Sequence, residues 1–308
     1  MRAITFASYG GPDVLEVTDQ PDPLVGPDTV LVRVRAVSVN PVDHKIREGY
    51  LQGAFPSRLP IISGWDVAGV VEAVGPAVTA HAVGDEVIGY VRKDSIGLGT
   101  YAELVGAGER HLAPKPTSVT FAEGAGLPLA GLTALQTIER ADVGRGDVVL
   151  VHAAAGGVGH LAVQIAAARG ARVIGTAGPR NQDFVRALGA EPVEYGEGLA
   201  DRVRALAPQG VDVALDYVGG ESIAVSAAVV RDPSRIVSVI DPGAVTAVGG
   251  RYAFVRPDAG QLTTLSRMVD AGSLRVELAQ TFAFEQAADA QRLVEEGHVR
   301  GKVAITVG

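Results

Sequence analysis

The 308 residues contain no cysteine. That excludes disulfides, thiolate nucleophiles and cysteine-ligated zinc from this chain. Positive charge is also in deficit, with 27 Lys and Arg against 35 Asp and Glu and a net charge of -8. A nucleic acid or an anionic membrane is therefore not expected as the main partner. No uninterrupted apolar stretch is long enough to span a bilayer. The first residues, MRAITFASYGGPDVLEV, read as a strand and a turn, not as a charged segment before an apolar core. No secretory leader is expected there, and the expectation is a soluble, cytoplasmic protein.

What is present is apolar: 47% of the residues are hydrophobic and 20% charged, enough for large cores, and the length suits two domains. Residues 148–169, VVLVHAAAGGVGHLAVQIAAAR, organise the chain. A β-branched run leads into a turn of small residues, Ala153-Ala154-Ala155-Gly156-Gly157-Val158-Gly159, then a helical pattern and a second apolar strand at 171–176. Strand, glycine turn, helix and strand make the opening βαβ unit of a doubly wound dinucleotide-binding domain. A Cβ in such a turn would keep the backbone from a pyrophosphate, and the helix start offers unpaired N–H groups and partial positive charge. Ala155, Gly156, Gly157 and Val158 are the predicted phosphate contacts.

Before this unit, residues 1 to about 120 read as short strands (14–17, 30–39, 67–74, 86–91, 101–105) between Gly, Pro and Asp turns, which suits a small bent barrel. Thr120 and Glu123 have capping-box spacing, and a helical stretch broken at Pro128 follows to 141. After residue 147, strands (172–176, 193–195, 211–217, 235–240) alternate with helical patterns, which predicts a parallel sheet. A helix at 261–271, a strand at 276–284, a helix at 285–296 and a strand at 302–307 close the chain.

Several motifs together resemble the medium-chain dehydrogenase/reductase superfamily in its zinc-free quinone oxidoreductase branch. They are Ser38-Val39-Asn40-Pro41-Val42-Asp43 with Lys45; Gly64-Trp65-Asp66-Val67-Ala68-Gly69; Val83-Gly84-Asp85-Glu86-Val87; Gly99-Thr100-Tyr101-Ala102-Glu103; Leu127-Pro128-Leu129-Ala130-Gly131-Leu132-Thr133-Ala134; the 153–159 turn; Asp216-Tyr217-Val218-Gly219-Gly220; and Arg300-Gly301-Lys302. The resemblance covers nearly the whole chain. It implies a GroES-like bent β-barrel catalytic domain at 1–120 and 262–308, with a Rossmann nucleotide-binding domain at 121–261. It also implies a homodimer, for which the strand at 235–240 and the segment after it are the candidate edge.

Zinc-dependent relatives place a cysteine where this chain has Asn40 and a His-Glu pair where it has Trp65-Asp66. Asp43 and Asp66 alone make a poor zinc site, so no metal is expected. The position that takes the ribose hydroxyls in NAD sites reads Thr176-Ala177-Gly178-Pro179-Arg180-Asn181, with no carboxylate to repel a 2′-phosphate. Arg180 can pair with that phosphate, which predicts NADPH over NADH; the ordinary alternative is a solvated arginine. The resemblance adds Tyr195 beside the same phosphate. It adds Asn40 and Thr133 near the nicotinamide, Val218 and Ile240 at strand ends near the cofactor, and Lys302 from the C-terminal return. Local roles compete: Asn40 as a turn former before Pro41, Thr133 as a hydroxyl bonded to its own helix.

The expected reaction is hydride transfer from NADPH to a quinone, with an enone or enoyl-thioester as the alternative acceptor. Asn40, Lys45 and Tyr50 are the candidate catalytic residues; Lys45 and Tyr50 are the nearest donors in sequence for a developing oxyanion, and the two also fit surface positions. A protein that binds NADPH without turnover is the reading from another class. The acceptor is a small molecule in every catalytic version.

Overall fold

Valine and arginine alternate at Val32-Arg33-Val34-Arg35, then every residue from Ala36 to Val39 is buried, so the strand Thr29–Val39 passes from a half-solvated sheet into a covered one. The computed structural model describes Met1–Gly308, and in it this strand anchors the first of two units: Met1–Leu129, Pro257–Ala271 and Val276–Gly308. It pairs with Asp66–Val74, Leu104–Gly108 and Lys302–Thr306 in a seven-stranded sheet. Register shifts between Leu31 and Val32 and between Val34 and Ala36 bend it. Gly69 sits opposite Val34, and a Cβ there would lie 2.3 Å from the Arg33 carbonyl oxygen, so only glycine allows the approach. A four-stranded sheet, in the order Glu16–Asp19, Arg2–Phe6, Ser57–Ile62 and Ile96–Leu98, completes the strand framework of this unit. This is the GroES-like fold expected.

The helix Pro41–Arg47 follows the long strand at once, with proline at its first turn, where the missing N–H has no intrahelical role. Its last residue, Arg47, is fully buried. The guanidinium donates to the Gly10 carbonyl (3.1 Å), Gln291 Oε1 (3.0 Å), Glu48 Oε1 (3.2 Å) and Glu295. These bonds pin the helix to Ala287–Glu295 and fix the element that carries Asn40 and Asp43. Thr120 forms the expected capping box, its N–H donating to Glu123 Oε2 (2.8 Å) while its hydroxyl accepts the Glu123 N–H (3.3 Å). The helical stretch then splits at the proline, into Phe121–Ala125 and Pro128–Arg140.

The second unit, Ala130–Arg256 with Gly272–Arg275, holds a six-stranded parallel sheet. Its order is Ala190–Val193, Arg172–Thr176, Val148–Val151, Val213–Asp216, Ile236–Ser238 and Arg251–Tyr252. The first strand in sequence lies third, so the order reverses beside it, the position where doubly wound sheets open a crevice at their carboxyl ends. Leu150, Ile174, Val203, Ala214, Ile223 and Ile236 form the core of this unit.

Several sequence expectations are corrected here. The strand expected at 193–195 ends at Val193, because Gly196 and Gly198 take positive φ and turn the chain; Tyr195 is in the loop and exposed. The segment 235–240 is not an edge: Ile236–Ser238 pairs with Val213–Asp216 on one side and Arg251–Tyr252 on the other. The strand expected at 14–17 begins at Glu16 after a 3-10 turn at Pro12–Val14, and that expected at 101–105 is Leu104–Gly108. No helix is long and apolar enough to cross a membrane.

Candidate functional site

In the first unit, the end of the long strand and the start of its helix gather buried polar groups. Asp66 is fully buried and accepts three bonds: from the Ser38 hydroxyl (2.7 Å) and Asn40 Nδ2 (2.8 Å) on one oxygen, and from the Leu129 N–H (2.8 Å) on the other. Lys302 is also buried, and its ammonium donates to Asn40 Oδ1 (2.5 Å) and the Val39 carbonyl (3.1 Å). Asn40 is thus clamped between an acid and a base, which fixes its amide orientation.

Asp43 caps the same helix start: its Oδ2 accepts the Asn40 N–H (2.8 Å) and the Tyr101 hydroxyl (3.2 Å). Its Oδ1 has no partner although it is buried. Burial pushes the Asp43 carboxyl up to about 7, and the nearby Asp66 adds to the rise, against the Asn40 N–H, Lys302 and Tyr101. Burial raises Asp66 and lowers Lys302, although each charge favours the other. Tyr101 is raised by burial and by Asp43, so its phenol stays a donor.

In the second unit, the turn 153–159 follows Val148–Val151. Ala153 has φ 52, a left-handed conformation that costs an alanine about 1 kcal/mol. Thr176 holds it there: its hydroxyl accepts the Ala153 N–H (3.0 Å) and its carbonyl the Ala154 N–H (2.9 Å). The Ala153 carbonyl then turns inward, where it accepts the Gly156 N–H (2.9 Å) and would lie 2.1 Å from a Cβ on Gly159. The helix Gly159–Ala168 therefore starts on glycine, and no side chain caps it. Its start is open to an outside anion.

The neighbouring strand ends are wired to one carboxylate. Asp216, fully buried, accepts the N–H groups of Val218 (3.1 Å) and Gly219 (3.0 Å) and the hydroxyls of Ser222 (2.5 Å) and Ser238 (2.7 Å). Ser238 Oγ in turn accepts the Ile240 N–H (3.1 Å). His152 Nε2 lies 3.0 Å from Ser226 Oγ beneath these ends, and burial pulls its imidazole down to about 4, so it is neutral at pH 7. The Tyr217 hydroxyl meets Thr137 Oγ1 (2.7 Å), and the Thr137 hydroxyl bonds the Thr133 carbonyl (2.8 Å).

The structure places the predicted residues as follows. Ala155, Gly156, Gly157 and Val158 form the turn, and Thr176 is the residue that shapes it. Gly178 brings the loop after Arg172–Thr176 against Tyr195: a Cβ on it would lie 3.4 Å from the Tyr195 hydroxyl. Arg180 is exposed on that loop and makes no ion pair. Val218 and Ile240 are 54% and 40% exposed, high for apolar side chains held by fixed backbone. Thr133 is buried within Pro128–Arg140. Lys45 is half-buried and Tyr50 is 74% exposed. Sequence reasoning missed the Asp216 hub and the Asp43–Tyr101 contact. The spacing Asn40-x-x-Asp43, a capping box in Asn and Asp, was the available signal.

Two groups bear on a metal. His44, Glu48 and Glu295 cluster, but the buried Arg47 guanidinium lies against both glutamates and is their cation. Around Asn40, both polar side-chain atoms are engaged and Lys302 supplies the positive charge.

Residues 26–117 match the alcohol dehydrogenase GroES-like domain, and residues 188–305 match a zinc-binding dehydrogenase family. The chain is 35% identical over 316 residues to the chloroplastic NADPH-dependent alkenal/one oxidoreductase of Arabidopsis thaliana, which spans 99% of this chain and 79% of that one. The solved quinone oxidoreductase from Coxiella burnetii superposes with a TM-score of 0.89 at 36% identity, covering 100% and 99% of the two chains. A mycobacterial protein solved in complex with NADPH superposes with a TM-score of 0.85 at 30% identity over the whole of both chains.

Proposed function

We propose a function from one premise: this chain belongs to the medium-chain dehydrogenase/reductase superfamily, with its quinone oxidoreductases. It is an NADPH-dependent oxidoreductase that reduces a quinone or a similarly conjugated carbonyl. When bound, NADPH supplies the hydride, and the chain supplies position and electrostatics.

The observation that carries this reading is the turn 153–159. A strained alanine is held by Thr176, a Cβ on Gly159 would collide with its carbonyl, and the helix start is uncapped. That arrangement fits a pyrophosphate. Arg180, unpaired and with no carboxylate in its loop, would take the 2′-phosphate, with Tyr195 across Gly178. Val218 and Ile240, set by Asp216 and Ser238, would give the nicotinamide ring an apolar contact.

The donor set does not fit zinc. The chain has no cysteine, Asn40 is held between Lys302 and Asp66, and a fixed ammonium already stands among the carboxylates. We read the redox step as zinc-independent. Lys45 and Tyr50, whose side chains no other group engages, are the proposed donors toward a developing oxyanion. For a homodimer, the sheet edge next to Ile236–Ser238 is Arg251–Tyr252, Ala190–Val193 being the other edge, and light scattering reads the mass directly.

The test is a panel of a 1,4-quinone, a 2-alkenal and an enoyl-CoA, each with NADPH and NADH, with and without EDTA. Turnover of the quinone or the alkenal, a lower KM for NADPH and indifference to EDTA are expected. The 2-alkenal arm is included because the Arabidopsis relative carries that name. NADPH binding without oxidation of any acceptor would leave only a binding role, and activity restored by zinc after chelation would overturn the metal-free reading.

A further inference from the structure

The chain has four lysines, and three of them are accounted for above or by their own surroundings. Lys302 belongs to the Asn40 centre. Lys115 is buried, donates to the carbonyls of Pro116 (2.8 Å) and Val119 (2.7 Å), and pairs with Glu86 (3.2 Å). Lys45 lies on the helix Pro41–Arg47.

Lys93 is different. It lies in the loop between the strands Glu86–Tyr90 and Ile96–Leu98, half-buried, and no carboxylate or carbonyl engages its ammonium. Burial lowers its pKa and no neighbouring acid offsets that cost. A desolvated cation without a partner is an unfavourable arrangement, and an incoming anion would relieve it.

Lys93 lines a cavity of about 630 Å³ whose lining residues all belong to the first unit. That volume is typical of small-molecule sites. Ile62, Leu98, Leu104 and Val105 line the cavity, as do Pro23 and Leu24 from the segment before the long strand. Leu24 is 92% exposed and Leu98 is 64% exposed, so large apolar side chains border the cavity without cover. Two acids also line it. Asp22 is tied to the chain's N-terminal ammonium (2.9 Å), whereas Asp28 is exposed and unpaired. An uncompensated carboxylate on the wall disfavours a multiply charged ligand such as a phosphate ester and tolerates a single charge.

We propose that this cavity binds an apolar carboxylate, a medium-chain fatty acid or an arylalkanoic acid, with its head group on Lys93 and its body covering Leu24 and Leu98. The proposal does not rest on the identity of the electron acceptor.

Isothermal titration of the full chain, saturated with NADPH, with decanoate, 1-decanol and decyltrimethylammonium tests it. Decanoate should bind about tenfold or more tightly than the alcohol, the effect of one charge-assisted hydrogen bond, and the cation should bind least. Lys93→Met should reduce decanoate to the affinity of the alcohol, and Leu98→Asn should weaken both. NADPH oxidation by each variant shows that it is folded. No decanoate binding, equal affinity for acid and alcohol, or an undiminished affinity in Lys93→Met would overturn the proposal.

Discussion

Replacing Asp43 by asparagine isolates a single buried charge. The carbonyl of asparagine can still accept the Asn40 N–H and the Tyr101 hydroxyl, so the cap and the phenol contact survive while the titration is removed. In the folded protein, burial, then repulsion from Asp66, lifts the Asp43 carboxyl from its usual 3.8 to about 7. A raised carboxyl binds its proton more tightly in the folded than in the unfolded chain. Its contribution to stability is therefore full below about pH 4 and is lost as pH rises through about 7. At 1.36 kcal/mol for each unit of pKa the whole contribution is about 4 kcal/mol, of which about 3 kcal/mol falls between pH 5 and pH 8. Urea unfolding of the wild type and Asp43→Asn across that window reads it as a difference of differences, which cancels every other titrating group. The variant should gain about 3 kcal/mol on the wild type between pH 5 and pH 8. Parallel curves would show that Asp43 is ionised throughout and that its two hydrogen bonds, not its burial, set its charge.

Two further outcomes are expected. Arg180→Ala should raise the KM for NADPH by about 10- to 100-fold, the effect of losing a charge-assisted phosphate contact, and leave that for NADH unchanged; an equal effect on both would refute the 2′-phosphate assignment. Gly159→Ala drives a methyl to 2.1 Å from the Ala153 carbonyl, so the turn must open and NADPH fluorescence titration should show binding lost, while near-native affinity would show that the turn is not the phosphate seat.

The legible parts of this chain were those set by local chemistry. The βαβ unit was visible because a β-branched run, a turn of small residues and an amphipathic helix follow one another within 148–169. The Thr120–Glu123 capping box was visible because it is closed by residues three apart. The segment after residue 240 reads as a candidate edge, but the strand Arg251–Tyr252 within it was not legible, because a two-residue strand has no periodicity and exists only through its pairing with Ile236–Ser238. The helix Pro41–Arg47 was missed because its seven residues carry little apolar pattern; the tertiary bonds of Arg47 to Gln291 and Glu295 hold it, and those partners are more than 240 residues away. Asn40, Asp66 and Lys302 were each noticed in sequence, but nothing in sequence says that Asn40 would be clamped between the other two.

Two buried aspartates, Asp216 in the second unit and Asp43 in the first, are wired in opposite ways, and the difference bears on what each does. Asp216 accepts two backbone N–H groups and two hydroxyls, so both its oxygens are engaged by donors that hold the loops bearing Val218 and Ile240. With that many donors its value is geometric: it turns the strand ends into a rigid seat for apolar contacts. Asp43 accepts two bonds on one oxygen and leaves the other bare. Burial first, then the nearby Asp66, favours its protonated form and places its titration in the neutral range, and the bare oxygen receives no donor that would offset this. The same residue type therefore serves as scaffold in one unit and as a titrating group in the other; Asp66, which burial also raises although donors engage both its oxygens, shows that donors offset burial without cancelling it.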